Sequence, residues 1–161
     1  MTGKPVSASR VEMTEIVLPS HTNQLGTIFG GQIMAWVDIA GSLAAGRHSR
    51  AVCVTASMDA FQFVNPVPLG HFVCIFACVN WAGRTSMEVG VRVNSENPLT
   101  GVRTHVATSY LTFVALDHNR KPQPVAPVIT TSPEEKRRFK DAELRRASRL
   151  KLKEQLTRPA E

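Results

Sequence analysis

The sequence predicts an α+β fold in which an antiparallel sheet curls around one central helix. Three observations lead to this prediction. Residues 31–45 are apolar on nearly every side, as in a helix that is surrounded by a hydrophobic core. Four β-rich segments follow this helix, and short turns that contain Pro or Gly separate them. One further segment of alternating apolar and polar residues precedes the helix, so that the elements follow the order βαββββ.

Before the helix, the sequence predicts an arm, a strand and a loop. Residues 1–9 are expected to be a flexible N-terminal arm, and residues 11–18 alternate apolar and polar side chains as a strand does. Residues 19–29 form a polar loop. The helix is expected to begin near Gly31 and to end at Gly46, because glycine is common just past the end of a helix.

The four strands after the helix are predicted from long apolar runs that are rich in β-branched residues. The turns between them are too short for a crossover connection, so neighbouring strands are expected to run antiparallel. The predicted strands comprise residues 53–63, 72–81, 85–94 and 104–116. Three prolines, Pro122, Pro124 and Pro127, then close the domain.

A second helix is predicted in the tail of the chain. Ser132 suits the N-cap, Pro133 suits the first helical position and Glu135 completes a capping box. Lys, Arg, Glu, Ala and Leu continue the helical composition to about residue 156. The chain is therefore divided into a flexible arm (1–9), one folded domain (10–127) and a charged helical tail (128–161).

Composition and charge restrict the function classes. No segment is apolar over the length that a membrane span requires, and the first residues hold no apolar secretion signal. The three cysteines form no CxxC pair, which indicates free thiols in a reducing cytoplasm. Most of the net charge of +6 comes from residues 132–161, where ten basic and six acidic residues are interleaved. Because interleaved acids weaken the field, we expect no nucleic-acid partner. The lack of an apolar span predicts no membrane partner. The tail is expected to pack on the domain or on a partner subunit.

The candidate functional residues lie on the central helix. Asp38 is its only acidic residue and has apolar neighbours, and an acid is rarely buried without a partner or a chemical role. Gly30 and Gly31 leave backbone N–H groups accessible at the positive end of the helix dipole. A carboxylate together with such a backbone is typical of an acyl-transfer or hydrolytic site. The structural alternative is that the glycines only begin the helix and that Asp38 accepts a hydrogen bond from a neighbour.

Six segments of the chain carry a resemblance to a known family. They are His21–Asn23, Gly26–Gly31, Trp36–Asp38, Val54–Asp59, Arg84–Glu88 and the EEKRRF run of the tail. Over nearly its whole length the chain resembles the hotdog-fold acyl-CoA thioesterases of the cytosolic acyl-CoA hydrolase type. The resemblance implies a hotdog fold and the hydrolysis of a fatty acyl-CoA to a free fatty acid and CoA.

The resemblance also implies roles for individual residues. Asn23 and Asp38 are expected to serve catalysis, and Arg84, Thr85 and Ser86 are expected to lie near bound CoA. CoA is part of the substrate and of the product, and no metal or redox cofactor is expected, because the thiolate of CoA is a fair leaving group. The structural alternatives are an Asx-turn for Asn23 and a solvated hairpin turn for Arg84 to Ser86.

The spacing of the site residues predicts a site that two chains share. Gly30 and Asp38 are eight residues apart, which corresponds to about 12 Å along one helix, so that one thioester carbonyl cannot contact both within a subunit. The resemblance agrees, because hotdog subunits pair side by side with active sites across the interface. We therefore expect an obligate homodimer, with a hexamer of three dimers as the larger assembly. The N–H groups of Gly30 and Gly31 are expected to stabilise the oxyanion, Asp38 to act as base or as nucleophile, and Asn23 to come from the neighbouring subunit.

Two other function classes stay open at this point. A hotdog enoyl-thioester hydratase would use a histidine with an acid, and His21 is the histidine that precedes the helix start. A non-catalytic acyl-CoA-binding sensor, or a nucleic-acid-binding module that uses the tail, would bind without turnover. Asp59 is the weaker rival of Asp38. Acyl chain length is not predicted, because packing between subunits shapes the acyl site.

Overall fold

The chain folds into an antiparallel sheet that curls around one long helix, as the sequence predicts. The computed structural model describes residues 1–157. In chain order its strands and α-helices are β1 (Lys4–Pro5), β2 (Val11–Ile16), α1 (Gly30–Ser49), β3 (Val52–Met58), β4 (Phe72–Ala82), β5 (Ser86–Glu96), β6 (Arg103–Leu116), β7 (Val128–Ile129) and α2 (Pro133–Leu156). The predicted order βαββββ is confirmed by β2, α1 and β3 to β6.

Five strands form the main sheet, in the order β2-β4-β5-β6-β3. Every neighbouring pair is antiparallel. The direction predicted from the short turns is confirmed for β4 with β5 and for β5 with β6. It is wrong for β3 and β4, which are not neighbours in the sheet. β3 follows α1 in the chain but pairs with β6, the last strand of the sheet. It therefore lies at an edge, and one side of its backbone is unpaired in the protomer.

α1 packs against one face of the sheet and supplies the centre of the core. Residues at helical spacing form its buried face: Ile33, Trp36, Val37, Ala40, Gly41, Ala44, Ala45 and His48. On the other side, Met34, Ile39 and Leu43 are 38%, 49% and 46% exposed. The expectation that this helix is enclosed on every side is therefore wrong for the single chain, because the curled sheet covers only one side of it.

The end of α1 differs from the prediction. The helix continues through Gly46 to Ser49 and ends at Arg50, whose φ of 55° is left-handed. His48 lies in the added turn, is fully buried, and its Nε2 lies 2.8 Å from the carbonyl oxygen of Ala126. This long-range contact favours one further turn over the stop that glycine predicts.

The strand predicted over residues 53–63 is shorter in the structure. β3 ends at Met58, and the register with β6 shifts between Thr55 and Ser57, so that Ala56 is the residue of a bulge. The residues that follow keep only isolated backbone bonds to β6, from the N–H groups of Asp59 and Val64. Phe61 and Phe63 pack against each other with ring centroids 4.7 Å apart. Their aromatic composition predicts a strand, but they pack as a loop.

Residues 4–9 pack on the domain, so the prediction of a flexible arm is wrong for them. β1 pairs in parallel with β7, and Val6 and Ser9 are buried. The Ser9 hydroxyl donates to the carbonyl oxygen of Val6 and accepts from the N–H of Val79. The bond to Val79 reaches across 70 residues of chain, and a local pattern does not reveal it.

α2 begins with the predicted capping box and packs on the sheet face opposite α1. The Ser132 hydroxyl accepts the N–H of Glu135, and the Glu135 carboxylate accepts the N–H of Ser132. The tail therefore packs on its own domain, which is one of the two placements expected for it. Within residues 1–157, no helix combines the length and the hydropathy that a membrane crossing requires.

Candidate functional site

Asp38 and Thr55 form a hydrogen-bonded pair at the border between α1 and the edge strand β3. The Thr55 hydroxyl donates to Oδ1 of Asp38 at 2.6 Å. Asp38 is half-buried rather than enclosed, and Thr55 is exposed in the protomer. This bond holds one oxygen of the carboxylate and leaves Oδ2 for a water molecule or a proton. The pair can therefore act as an oriented base.

Thr55 is a candidate site residue that sequence reasoning missed. It lies 17 residues after Asp38, and the two meet only because α1 packs on the sheet. The available signal was its place in the segment Val54–Asp59, one of the six that carry the family resemblance.

The start of α1 presents two free backbone donors. Phe29 is the N-cap and offers no side-chain acceptor, while its carbonyl oxygen accepts the N–H of Gln32. Within residues 1–157, the N–H groups of Gly30 and Gly31 have no acceptor. A Cβ at Gly30 would lie 3.0 Å from the ring of Phe63, whereas the space beside Gly31 is open. Neither glycine has a side chain that could cover its N–H group, and the open space beside Gly31 lets an oxyanion approach the helix N-terminus.

A cleft of about 250 Å³ lies beside these donors. Most of its walls are apolar side chains: Ile28, Ile33, Phe63, Val64, Pro66 and Val67. Gly30 also lines the cleft, so an apolar chain in it would lie beside the helix N-terminus. The cleft is open on one side in the protomer, and Phe63 and Val64 are exposed.

Asn23 closes the loop that leads to the helix. Its Oδ1 accepts the N–H of Leu25 at 2.9 Å, and its Nδ2 donates to the hydroxyl of Thr27 at 3.0 Å. These contacts are those of the Asx-turn alternative. An amide group has two N–H bonds, so one donor of Nδ2 is still available for a ligand. His21 supports the same loop, because its Nδ1 accepts the N–H of Leu18.

Arg84, Thr85 and Ser86 lie in the turn between β4 and β5 and at the start of β5. Arg84 is exposed, and its side chain forms no ion pair with any residue from 1 to 157. Ser86 is opposite Val114 of β6, which is opposite Val54 of β3. Two strand spacings, about 10 Å, therefore separate Ser86 from the edge strand that carries Thr55.

The structure does not bring all predicted site residues together in one protomer. Asn23, Gly30 and Gly31 lie at the start of α1, whereas Asp38 lies two turns away, beside Thr55. The rival acid Asp59 forms an ion pair with Arg149 at 2.6 Å, which is a structural contact.

The cysteines do not provide a reactive nucleophile. Burial raises the pKa of the thiols of Cys53, Cys74 and Cys78 above the ordinary value. Raised pKa values keep the thiols protonated at neutral pH, and a thiol attacks carbonyl groups poorly in that form. Across the part of the chain that is described, no group of His, Cys, Asp and Glu side chains has the arrangement of a metal site.

Comparison with known sequences gives one family. The sequence profile of the Thioesterase superfamily matches residues 25–102. The chain is 46% identical over 127 residues to YkhA of Bacillus subtilis (strain 168), an uncharacterized acyl-CoA thioester hydrolase, and the match covers 79% of this chain and 74% of YkhA.

Comparison with solved structures agrees with this match. A hexameric acyl-CoA thioesterase, solved in its apo form, superposes with a TM-score of 0.92 at 42% identity, over 98% of this chain and 100% of that one. An acyl-CoA hydrolase from Staphylococcus aureus, solved with butyryl-CoA and CoA, gives 0.85 at 36% identity, over 95% and 96% of the two chains. The staphylococcal enzyme has also been solved with an asparagine, an aspartate or a threonine replaced by alanine. Along that chain the three residues have the order and the spacing of Asn23, Asp38 and Thr55.

Proposed function

Because the chain belongs to the thioesterase superfamily, we infer that it is an acyl-CoA thioester hydrolase, which converts a fatty acyl-CoA into a free fatty acid and CoA. One observation carries this proposal, namely the Asp38 carboxylate held at 2.6 Å by Thr55 beside the uncovered side of α1. The matching order and spacing of the residues substituted in the staphylococcal hydrolase support a catalytic function for Asn23, Asp38 and Thr55.

A second copy of the chain completes the proposed site. The uncovered side of α1 and the adjoining edge strand expose five apolar side chains, which we call the dimer face: Met34, Ile39, Leu43, Val52 and Val54. An apolar surface beside an unpaired strand edge is typical of a subunit interface. Three such dimers would form a hexamer, the assembly of one structural neighbour.

The dimer face explains how Asp38 can meet the start of α1, although the two lie about two turns apart within one subunit. A twofold axis that pairs the two β3 edges in antiparallel fashion also makes the two α1 helices antiparallel. Met34, on the dimer face, is halfway between Gly30 and Asp38 in the sequence. Where the helices cross at Met34, the N–H groups of Gly30 and Gly31 face Asp38 of the other subunit.

The proposed reaction needs only the groups of this two-chain site. Asp38 takes a proton from a water molecule, and the oxygen of that water attacks the thioester carbonyl carbon. The N–H groups of Gly30 and Gly31 of the other subunit stabilise the oxyanion, and one such donor is worth about 3 kcal/mol. The intermediate then collapses as the C–S bond breaks, and the thiolate of CoA leaves and takes up a proton. A thiolate is a fair leaving group, so the proposed step requires no metal or redox cofactor.

The remaining predicted residues bind or orient in this proposal. Asn23 lies in the loop before Gly30, and its free amide N–H orients the water or the carbonyl group across the interface. Arg84 is exposed and unpaired among residues 1–157, which suits a contact to a CoA phosphate. Thr85 and Ser86 supply short hydroxyl groups beside it.

Thiol release from a series of acyl-CoAs, from acetyl to palmitoyl, tests the proposal. The Asp38→Asn variant is expected to lower kcat by about a hundredfold or more, because the amide has the same shape but is a poor base. The matched change at the other acid, Asp59→Asn, is expected to leave the chemical step intact, and light scattering checks that both variants assemble like the parent protein. Near-full turnover by Asp38→Asn would overturn the mechanism. Hydration of crotonyl-CoA without thiol release would instead indicate a hydratase.

A further inference from the structure

The cleft beside Gly30, which we call the α1 cleft, has a buried floor and an exposed rim. Ile28, Ile33 and Val67 line the floor and belong to the hydrophobic core. Phe63 and Val64 line the rim and are exposed. Because core side chains are close-packed, the cleft cannot deepen unless the core repacks. A partner subunit can cover the rim, but the core of this chain sets the depth.

Backbone hydrogen bonds hold the wall of the α1 cleft in place. This wall is part of the loop between β3 and β4. The N–H of Val64 donates to the carbonyl oxygen of Val106 in β6 at 2.9 Å. The carbonyl oxygen of Val67 accepts the N–H of Ile28 at 2.9 Å. The loop is therefore bound both to the sheet and to the segment that leads into α1, and the shape of the cleft is preformed.

The lining of the α1 cleft suits an apolar ligand. Besides its apolar side chains, the cleft has two polar ones, Thr27 and Asn65. The Thr27 hydroxyl accepts from Nδ2 of Asn23 at 3.0 Å, and Nδ2 of Asn65 donates to the carbonyl oxygen of His105 at 2.8 Å. Because both polar groups are bonded within the protein, a hydrocarbon chain in the cleft does not leave them without a partner.

The ring of Phe63 lies where the α1 cleft meets the helix N-terminus. A Cβ at Gly30 would lie 3.0 Å from two carbons of this ring, so the ring packs directly against the backbone of the first helical residue. The same ring lines the cleft, whereas that of its neighbour Phe61 does not. A chain that extends from the N–H of Gly30 into the cleft must therefore pass the ring of Phe63.

The volume of the α1 cleft limits the length of the chain that it can enclose. This volume is about 250 Å³. A methylene group occupies about as much space as a water molecule, whose share of the liquid is about 30 Å³. The cleft therefore has room for about eight methylene groups.

The hydrophobic effect converts this limit into a preference for one chain length. Each methylene that enters the cleft strengthens binding by about fourfold, which corresponds to about 0.8 kcal/mol. Methylenes beyond the capacity of the cleft stay at the exposed rim and bring no such gain. Affinity is therefore expected to rise with chain length only until the cleft is full.

We propose that this chain prefers medium-length acyl groups of about eight carbons, and that Phe63 is the residue that sets this length. The inference rests on the proposed function and names the acyl class of the same site. Phe63 sets the length because the floor is fixed by the core, and its ring is the largest side chain of the rim.

The chain-length profile of kcat/KM tests the preference. Thiol release is measured from acetyl-CoA to palmitoyl-CoA, at concentrations below those at which the long chains form micelles. We expect kcat/KM to rise by about fourfold per methylene up to octanoyl-CoA, mostly through KM, and to rise no further from decanoyl-CoA to palmitoyl-CoA. A value that continues to rise to palmitoyl-CoA, or that is highest with acetyl-CoA, would overturn the preference.

Two substitutions of Phe63 are expected to move the profile in opposite directions. Phe63→Ala should move its maximum to chains longer by about two to four carbons, because neighbouring side chains collapse only partly into the space of a removed ring. Phe63→Trp narrows the cleft and should move the maximum to shorter chains. The matched control Phe61→Ala removes the adjacent ring and should keep the maximum of the parent protein. An equal loss at all chain lengths in the Phe63 variants, or the same shift in Phe61→Ala, would overturn the role of Phe63.

Alkyl-CoA thioethers, which cannot be hydrolysed, separate the cleft from catalysis. In calorimetry, octyl-CoA is expected to bind the parent protein more tightly than butyl-CoA, and hexadecyl-CoA is expected to bind no more tightly than octyl-CoA. Phe63→Ala is expected to bind dodecyl-CoA more tightly than the parent protein does. Equal binding of butyl-CoA and octyl-CoA would overturn the preference. Absence of thiol release from every thioester, by contrast, would overturn only the proposed function.

Discussion

Removal of the Thr55 hydroxyl is expected to slow hydrolysis without weakening substrate binding. Thr55→Val keeps the shape of the side chain and suits a strand, but it removes the 2.6 Å bond to Asp38. Hydrogen bonds to charged groups contribute about 1.5–3 kcal/mol. Because Thr55 is exposed in the protomer, we expect its loss to raise the activation free energy by the lower end of this range, about 1.5 kcal/mol. This rise corresponds to about a tenfold lower kcat.

Thiol release at saturating acyl-CoA measures this effect, and Thr55→Ser is the matched variant because it restores the hydroxyl. We expect Thr55→Ser to recover most of the rate and KM to change little in either variant. Size-exclusion chromatography checks that the edge strand still supports the same oligomer. Wild-type kcat in Thr55→Val, or an equally slow Thr55→Ser, would refute the idea that this hydroxyl orients the base.

Two further predictions concern the shared site and the cap of α2. A mixture of inactive Asp38→Asn subunits and inactive Asn23→Ala subunits is expected to recover part of the activity after subunit exchange, since some mixed dimers hold one intact site. No recovery after confirmed exchange would place the site within one chain. The N–H of Thr131 is the largest of the contacts that hold the pKa of Glu135 below its ordinary value of 4.5. The stabilisation by the Glu135 carboxylate is therefore present above pH 4.5 and is lost as the pH falls through the lowered pKa. Glu135→Gln should lower the free energy of unfolding, measured with denaturant, by about 1 kcal/mol at about pH 7 and by little in stronger acid. A loss that does not change with pH would contradict this prediction.

The order of elements and both helix starts could be predicted from the sequence. Periodicity and turn residues act over a few positions, and the box of Ser132 and Glu135 is read within one helical turn. The same short range explains the errors. Gly46 is a good local stop, but the burial of His48 outweighs it. Residues 1–9 look mobile in isolation, but Ser9 binds Val79.

The candidate site divides in the same way. Asp38 and the glycine pair stand out in the sequence, because both are recognised from their immediate neighbours. An acid is unusual among the apolar residues of a core helix, and two adjacent glycines are unusual at a helix start. Thr55 does not stand out, because its importance comes from a contact with Asp38 across 17 residues. The two-chain arrangement was expected from helix geometry alone, and the uncovered side of α1 supports it.

The sequence by itself determined the fold class, the family and the position of the candidate catalytic carboxylate, because these depend on short patterns of residue type. Only the tertiary structure decided what lies against that carboxylate, where α2 packs, and which acids its arginines bind. The Glu88–Arg149 contact joins residues 61 apart, and it selects the face of α2 that meets the sheet. Pairings at such distances depend on how strands align and on which charges burial brings together, and neither is encoded in any local stretch of the chain.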